Sequence, residues 1–229
     1  MQQIDIRTHY VPRSTLTGMF QGARYVPLKR AVDVLLAAGL LLVFAPLMAL
    51  IVVAIKLCSR GPILDRQLRI GCGGVPFGML RFRSARCVQE VALHGAQELR
   101  LYQLPAGRSD QPHRLRRDPR VTRVGRILRR SGMDRLPQLL NVPRGEMSLV
   151  GPRPAQPRET ELYEVWHRQR LSVPPGITGL WQVSGQSKRP IDDMARADLA
   201  YIVTMSLWLD LRIMLRTPGI LLRGRRRSA

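Results

Sequence analysis

The sequence predicts an α-rich α+β fold: an N-terminal re-entrant membrane helix broken at Pro46, then a small cytoplasmic domain of amphipathic helices with a short β-hairpin. Three observations predict it. An uncharged, almost wholly aliphatic run extends from Val34 to Ile55, with basic residues on both sides. Behind it, two strand-length segments flank the glycine-rich turn Gly71-Cys72-Gly73-Gly74. Further on, apolar residues recur at helical spacing while arginines occupy the other faces.

The apolar run has the length that crosses a bilayer as a helix, about 20 residues. It begins too far from the N-terminus for a signal peptide, and Lys56 and Arg60 follow it in place of a small-residue cleavage site. A buried core helix is the alternative, but the run is apolar on every face. Pro46 lies inside it and deprives the carbonyl near Leu42 of a partner, so a break or sharp kink is expected there. Arg24, Lys29 and Arg30 precede the run, and Lys56, Arg60, Arg66 and Arg69 follow it. Positive residues mark the cytoplasmic side, and here both ends carry the mark. A helix that enters, bends and returns satisfies both ends, whereas a span would carry the N-terminal arginines across. Asp33 is expected to pair with Lys29 or Arg30 at the headgroup level.

Residues 1–26 read as a poorly packed extension, 27–60 as the membrane helix, 61–223 as one cytoplasmic domain and 224–229 as a basic tail. Ile63–Ile70 and Val75–Phe82 read as the hairpin; its glycines lack the Lys-Ser/Thr of a phosphate-binding loop, so they are turn residues. Glu90–Leu104 is expected to be helical and Pro105–Arg117 a mobile loop. Val121, Val124, Ile127 and Leu128 start a helical pattern that runs towards Leu140; Gly132 interrupts it, and Pro137 suits the first turn of the next helix. Ile191–Tyr201 and Leu207–Leu222 read as amphipathic helices.

Lys and Arg number 37 against 16 Asp and Glu, a formal charge of +21, which points to a polyanionic partner. With 5% aromatic residues, a platform for stacking nucleic-acid bases is not evident. Composition alone nevertheless puts nucleic acid first, with anionic lipid headgroups and phosphorylated substrates as the other polyanionic partners. Cys58, Cys72 and Cys87 show neither disulfide-framework nor zinc-ligand spacing.

Several segments come in a recognisable order: Lys29-Arg30 with Asp33, the run with Pro46, Gly61-Pro62, Arg66-Gln67, Arg81-Phe82-Arg83-Ser84 and Asp118-Pro119-Arg120. Leu136-Pro137-Gln138-Leu139, Gly145–Pro154, Pro175–Gly185 and Leu207-Trp208-Leu209-Asp210-Leu211 complete the series. From about Lys29 to Arg223 the chain resembles the bacterial sugar transferase family, the monotopic polyprenyl-phosphate phosphoglycosyl transferases. The resemblance implies a re-entrant helix in the bacterial inner membrane and a catalytic domain on its cytoplasmic face. It implies transfer of a sugar-1-phosphate from a nucleotide sugar, usually a UDP-sugar, to undecaprenyl phosphate. Exopolysaccharide, capsule and O-antigen are the usual products, and a homodimer stays open as an assembly.

On the family's pattern, Asp134 is the nucleophile that becomes a phospho-sugar ester. Arg153 matches a phosphate-binding arginine, and Arg129 and Arg81 match further basic positions. Thr178 and Gln182 are candidates for contacts to the donor or a loop, while Lys29, Arg30, Asp33 and Pro46 form the membrane anchor. The family's nucleophile is followed by a glutamate that helps hold Mg²⁺; here Arg135 follows, leaving Asp134 as the metal ligand in that segment. Three readings stand open: a working transferase in which Arg135 pairs phosphate oxygens, a weak or inactive paralogue that keeps its membrane docking, and a basic membrane-surface or nucleic-acid-binding protein.

Overall fold

The computed structural model describes residues 25–59, 61–85, 121–184 and 190–226. The expected helix over Glu90–Leu104, the loop Pro105–Arg117, most of the N-terminal extension and the end of the basic tail lie outside the described residues.

Helix α1 spans Tyr25–Cys58 with Pro46 inside it. An outright break is thereby corrected, because the helical segment continues through the proline, and a kink within a continuous helix is the form of bend that stays compatible with it. Pro46 removes only its own donor, and the bonds on either side hold the helix together. Over its most apolar 18 residues the mean hydropathy is 2.8, yet only 11% of that window is buried. A core helix would hide such a surface, so that alternative is set aside.

Both ends of α1 pack against the rest of the chain. Lys29 Nζ lies 2.7 Å from Asp210 Oδ2 and 3.4 Å from Asp33 Oδ2, the latter being the pairing expected for Asp33. Arg30 donates to the carbonyl of Val142 at 2.6 Å, and Ser148 Oγ donates to Asp33 at 2.6 Å. At the other end, Ile51 and Ile55 cluster with Phe82 and Leu128. Between these contacts, residues 38–50 include no buried residue.

Strands β1 (Leu64–Ile70) and β2 (Pro76–Phe82) pair antiparallel from Leu64↔Phe82 to Ile70↔Pro76, giving the expected hairpin. Helix α2 spans Arg123–Ser131 and is capped by Thr122, whose Oγ1 accepts the Gly125 amide at 2.9 Å. Gly132 ends α2 at a φ of 74°, a left-handed conformation costly for residues with a Cβ. The next turn, Met133–Leu140, is a 3₁₀ helix with Pro137 in its interior rather than its first turn. Tighter bonds such as Arg135 N–H to the Gly132 carbonyl, 3.2 Å, replace the α-helical ladder there.

The sequence contained no clear sign of β3 (Ser148–Val150) or β4 (Gly176–Thr178), which pair in parallel. Short helices α3 (Pro157–Glu161) and α4 (Val165–Arg168) and the 3₁₀ turn Gln169–Ser172 lie between them. Gly176 is required by closeness alone: a Cβ there would sit 2.1 Å from the Gly151 nitrogen. Helices α5 (Leu180–Ser184), α6 (Pro190–Val203) and α7 (Leu207–Arg226) come next, the last two close to their expected bounds. The main core joins Ala37 of α1 to Phe77, Met79, Met147, Val150, Tyr201 and Ile213. Asp210 links three helices through Lys29 of α1 and Tyr201 of α6, whose hydroxyl donates at 2.7 Å.

Candidate active site

Asp134 stands in the first turn of the 3₁₀ segment after α2, directly behind the left-handed Gly132. The sharp turn sinks its side chain into the domain, leaving the residue 3% exposed. Arg81, from β2, donates to Asp134 Oδ2 and forms an ion pair with it. The strand alternation that aims Phe82 into the core aims its neighbour Arg81 to the other face. A second Arg81 nitrogen donates to Gln67 Oε1 at 3.4 Å; Arg69 donates to the same oxygen at 3.2 Å, and Gln67 Nε2 donates to Asp65 at 3.2 Å. Asp65, opposite Arg81 in the hairpin register, is linked to it by hydrogen bonds through Gln67.

Arg135 keeps contact with solvent beside Asp134. Desolvation against the domain lowers its guanidinium pKa first; Asp134 opposes that shift, and the positive charges of Arg81 and Arg153 add to it. The same interactions place Arg135 within electrostatic reach of all three. A guanidinium stays charged in proteins, so Arg81 and Arg135 both bring positive charge to the carboxylate.

Arg153 projects from the loop after β3, with its Nη1 4.0 Å from the Met194 sulfur. Its backbone is held from behind by the buried Arg170, whose Nη2 donates to the Arg153 carbonyl at 3.1 Å and to Asp198 Oδ2 at 2.5 Å. Arg170 Nη1 donates to Glu159 Oε1 at 3.2 Å and to the Tyr163 hydroxyl at 2.5 Å. Burial pushes the Asp198 carboxyl up to about 6, against Arg170 and the Arg153 backbone amide, which favour the carboxylate. Neither Arg170 nor Asp198 belongs to a motif that signals this role, and only packing reveals it.

The other expected residues make no hydrogen bond or ion pair with Asp134 among the described residues. Arg129, in the last turn of α2, donates from Nε to Ser84 Oγ at 2.7 Å. Thr178 shares a 2.8 Å hydrogen bond with Thr217 of α7. Gln182 sits on α5 with a buried Oε1 that has no hydrogen-bond partner among the described residues. The parallel β3–β4 pair nevertheless brings the segments of Arg153 and Thr178 together, with the Gly151 amide donating to the Thr178 carbonyl at 2.9 Å. Beside the hairpin, an apolar cavity of about 500 Å³ is lined by Met48, Val52, Ile63, Leu64, Phe82 and Leu140, with Arg66 at its edge.

The donor set does not suit Mg²⁺, the metal the resemblance implies. Mg²⁺ takes hard oxygen ligands, mostly carboxylates and water. Among the described residues no group of three or more His, Cys, Asp or Glu side chains converges. The Asp134 carboxylate is already engaged by Arg81, and its sequence neighbour is a cation.

Residues 24–224 match the family model described as bacterial sugar transferase. The UDP-glucose:undecaprenyl-phosphate glucose-1-phosphate transferase of Caulobacter vibrioides is 44% identical over 202 residues, 85% of this chain and 69% of that protein. The exopolysaccharide production protein ExoY of Rhizobium meliloti is 39% identical over 195 residues, 85% of each chain. An Escherichia coli protein bearing the same name as the Caulobacter transferase is 36% identical over 200 residues, which cover 83% of this chain and 39% of that protein. The chain belongs to the bacterial sugar transferase family.

Proposed function

We propose that this protein transfers a sugar-1-phosphate from a UDP-sugar to undecaprenyl phosphate, the first membrane step of exopolysaccharide, capsule or O-antigen assembly. The observation that carries the reading is the buried Asp134 carboxylate, gripped by Arg81 in a cluster of arginines. Relatives named as glucose-1-phosphate transferases support the substrate classes.

Arg81 occupies Oδ2, which leaves Oδ1 of Asp134 to attack the sugar-bearing phosphorus. A bond forms from Oδ1 to phosphorus, the bond to the bridging oxygen breaks, and UMP leaves with that electron pair. An oxygen of undecaprenyl phosphate then attacks the same phosphorus and expels Asp134 as a carboxylate. The product is an undecaprenyl diphosphate sugar. Splitting one displacement into two avoids bringing two anionic phosphates together unassisted. Arg81 and Arg153 counter the charge on the transferring oxygens, which fixed cations do best where water is scarce. The apolar cavity beside α1 suits the first isoprene units of the acceptor. Purified protein given UDP-glucose and undecaprenyl phosphate should release UMP. Absence of release, restored by Arg135→Glu, would instead favour an inactive paralogue.

The membrane arrangement in this reading is a re-entrant α1 with the domain on the cytoplasmic face, next to anionic lipid. Contacts at both ends of α1 with one domain, and a stretch 38–50 that is apolar with no fully buried residue, support a helix that dips, kinks at Pro46 and returns. A cysteine introduced near the N-terminus should resist a membrane-impermeant maleimide in intact cells; labelling from outside would overturn the arrangement.

A further inference from the structure

The geometry points to a donor site in which Arg135 takes the place of a divalent metal, so that this protein binds the diphosphate of its nucleotide sugar without Mg²⁺. The inference rests on the transfer reading above and concerns how that site holds its substrate.

Arg81 is ion-paired with Asp134, and Arg135, the next residue, is exposed to solvent within electrostatic reach of Asp134, Arg81 and Arg153. The surplus charge matches the diphosphate of a nucleotide sugar, which carries one ionised oxygen on each phosphate. A metal added to this cluster would meet like charges in a partly desolvated setting, where repulsion is screened less than in water. Ligation points the same way. Asp134 is the carboxylate on the spot and Arg81 already engages it, while Asp65, opposite Arg81 in the hairpin, accepts from Gln67. Freeing Asp134 for a metal would break the ion pair that orients the nucleophile.

Shape agrees with charge. A guanidinium presents paired N–H groups that match two phosphate oxygens in one plane. Arg135 is solvent-accessible yet adjoins Asp134, so it can grip a diphosphate arriving from outside while Arg81 holds the carboxylate from within. Arg153, pinned through its backbone carbonyl by Arg170, closes the cluster from the β3 side.

The test is equilibrium binding of UDP-glucose to the full chain in detergent, with EDTA and separately with saturating Mg²⁺. Wild type should bind with the same affinity in both, within about twofold. Arg135→Gln should weaken binding by about tenfold in both conditions, the usual scale for one charge-assisted contact. Arg135→Glu should bind more weakly still in EDTA and recover with Mg²⁺, because it supplies the second carboxylate. Thermal melts of each variant separate loss of binding from loss of fold. Wild-type binding that requires Mg²⁺ overturns the inference and leaves the transfer reading intact, as does unchanged binding by Arg135→Gln. No binding in either condition overturns both.

Discussion

Replacing Asp134 by Asn should lower UMP release at least about a thousandfold, the scale seen when a covalent nucleophile is removed. The change keeps the shape of the side chain, and the amide oxygen can still accept from Arg81. Packing around the 3₁₀ turn is therefore retained, while the amide oxygen is far too poor a nucleophile to form the ester. Binding of UDP-glucose should survive, since Arg81, Arg135 and Arg153 remain. The informative measurements are UMP release and mass spectrometry of the protein after brief exposure to donor alone. Wild type should gain the mass of a hexose phosphate on the peptide containing Asp134, and the variant should gain nothing. Turnover of the variant at the wild-type rate would refute the covalent route.

Replacing Arg170 by Met should destabilise the domain by about 3–5 kcal/mol, because it leaves two acids buried without their counter-ion. Arg170, Glu159 and Asp198 are each about 1% exposed or less, so water cannot take the place of the lost guanidinium. For a chain of this size that corresponds to a fall in Tm of roughly 10 °C. The cost comes mostly from stranding the acids, so combining Arg170→Met with Glu159→Gln and Asp198→Asn should recover part of it. The same change frees the Arg153 carbonyl, and UDP-glucose affinity should fall even at temperatures where the variant is folded. A single variant with an unchanged melt would mean that the network contributes no stability.

Much of the fold was legible because its signals are local. The apolar run announces α1, the glycines between two β-rich segments announce the hairpin, and Gly132 announces the end of α2. Pro46 misled in one respect, since a proline forbids one hydrogen bond and the rest of a long helix survives it. Pro137 misled in another: its position suited an α-helical first turn, but the chain adopted the tighter 3₁₀ form around it. Strands β3 and β4 are three residues each, too short for any alternation to register. Asp65 accepts from Gln67 within its own strand, and only the hairpin register sets it opposite Arg81.

Sequence alone determined the apolar helix and the hairpin, because spacing and turn chemistry are properties of neighbours along the chain, and its ordered motifs carried the family resemblance that names Asp134 as the candidate nucleophile. Tertiary structure alone decided which cations meet that carboxylate. Arg81 reaches Asp134 across 53 residues, and Arg170 reaches the Arg153 backbone across 17, while Arg129, five residues from Asp134, turns to Ser84 instead. In so basic a chain every arginine looks equally eligible along the sequence. Burial makes the choice, since an ion pair persists in the interior only where packing brings both charges together and shuts water out.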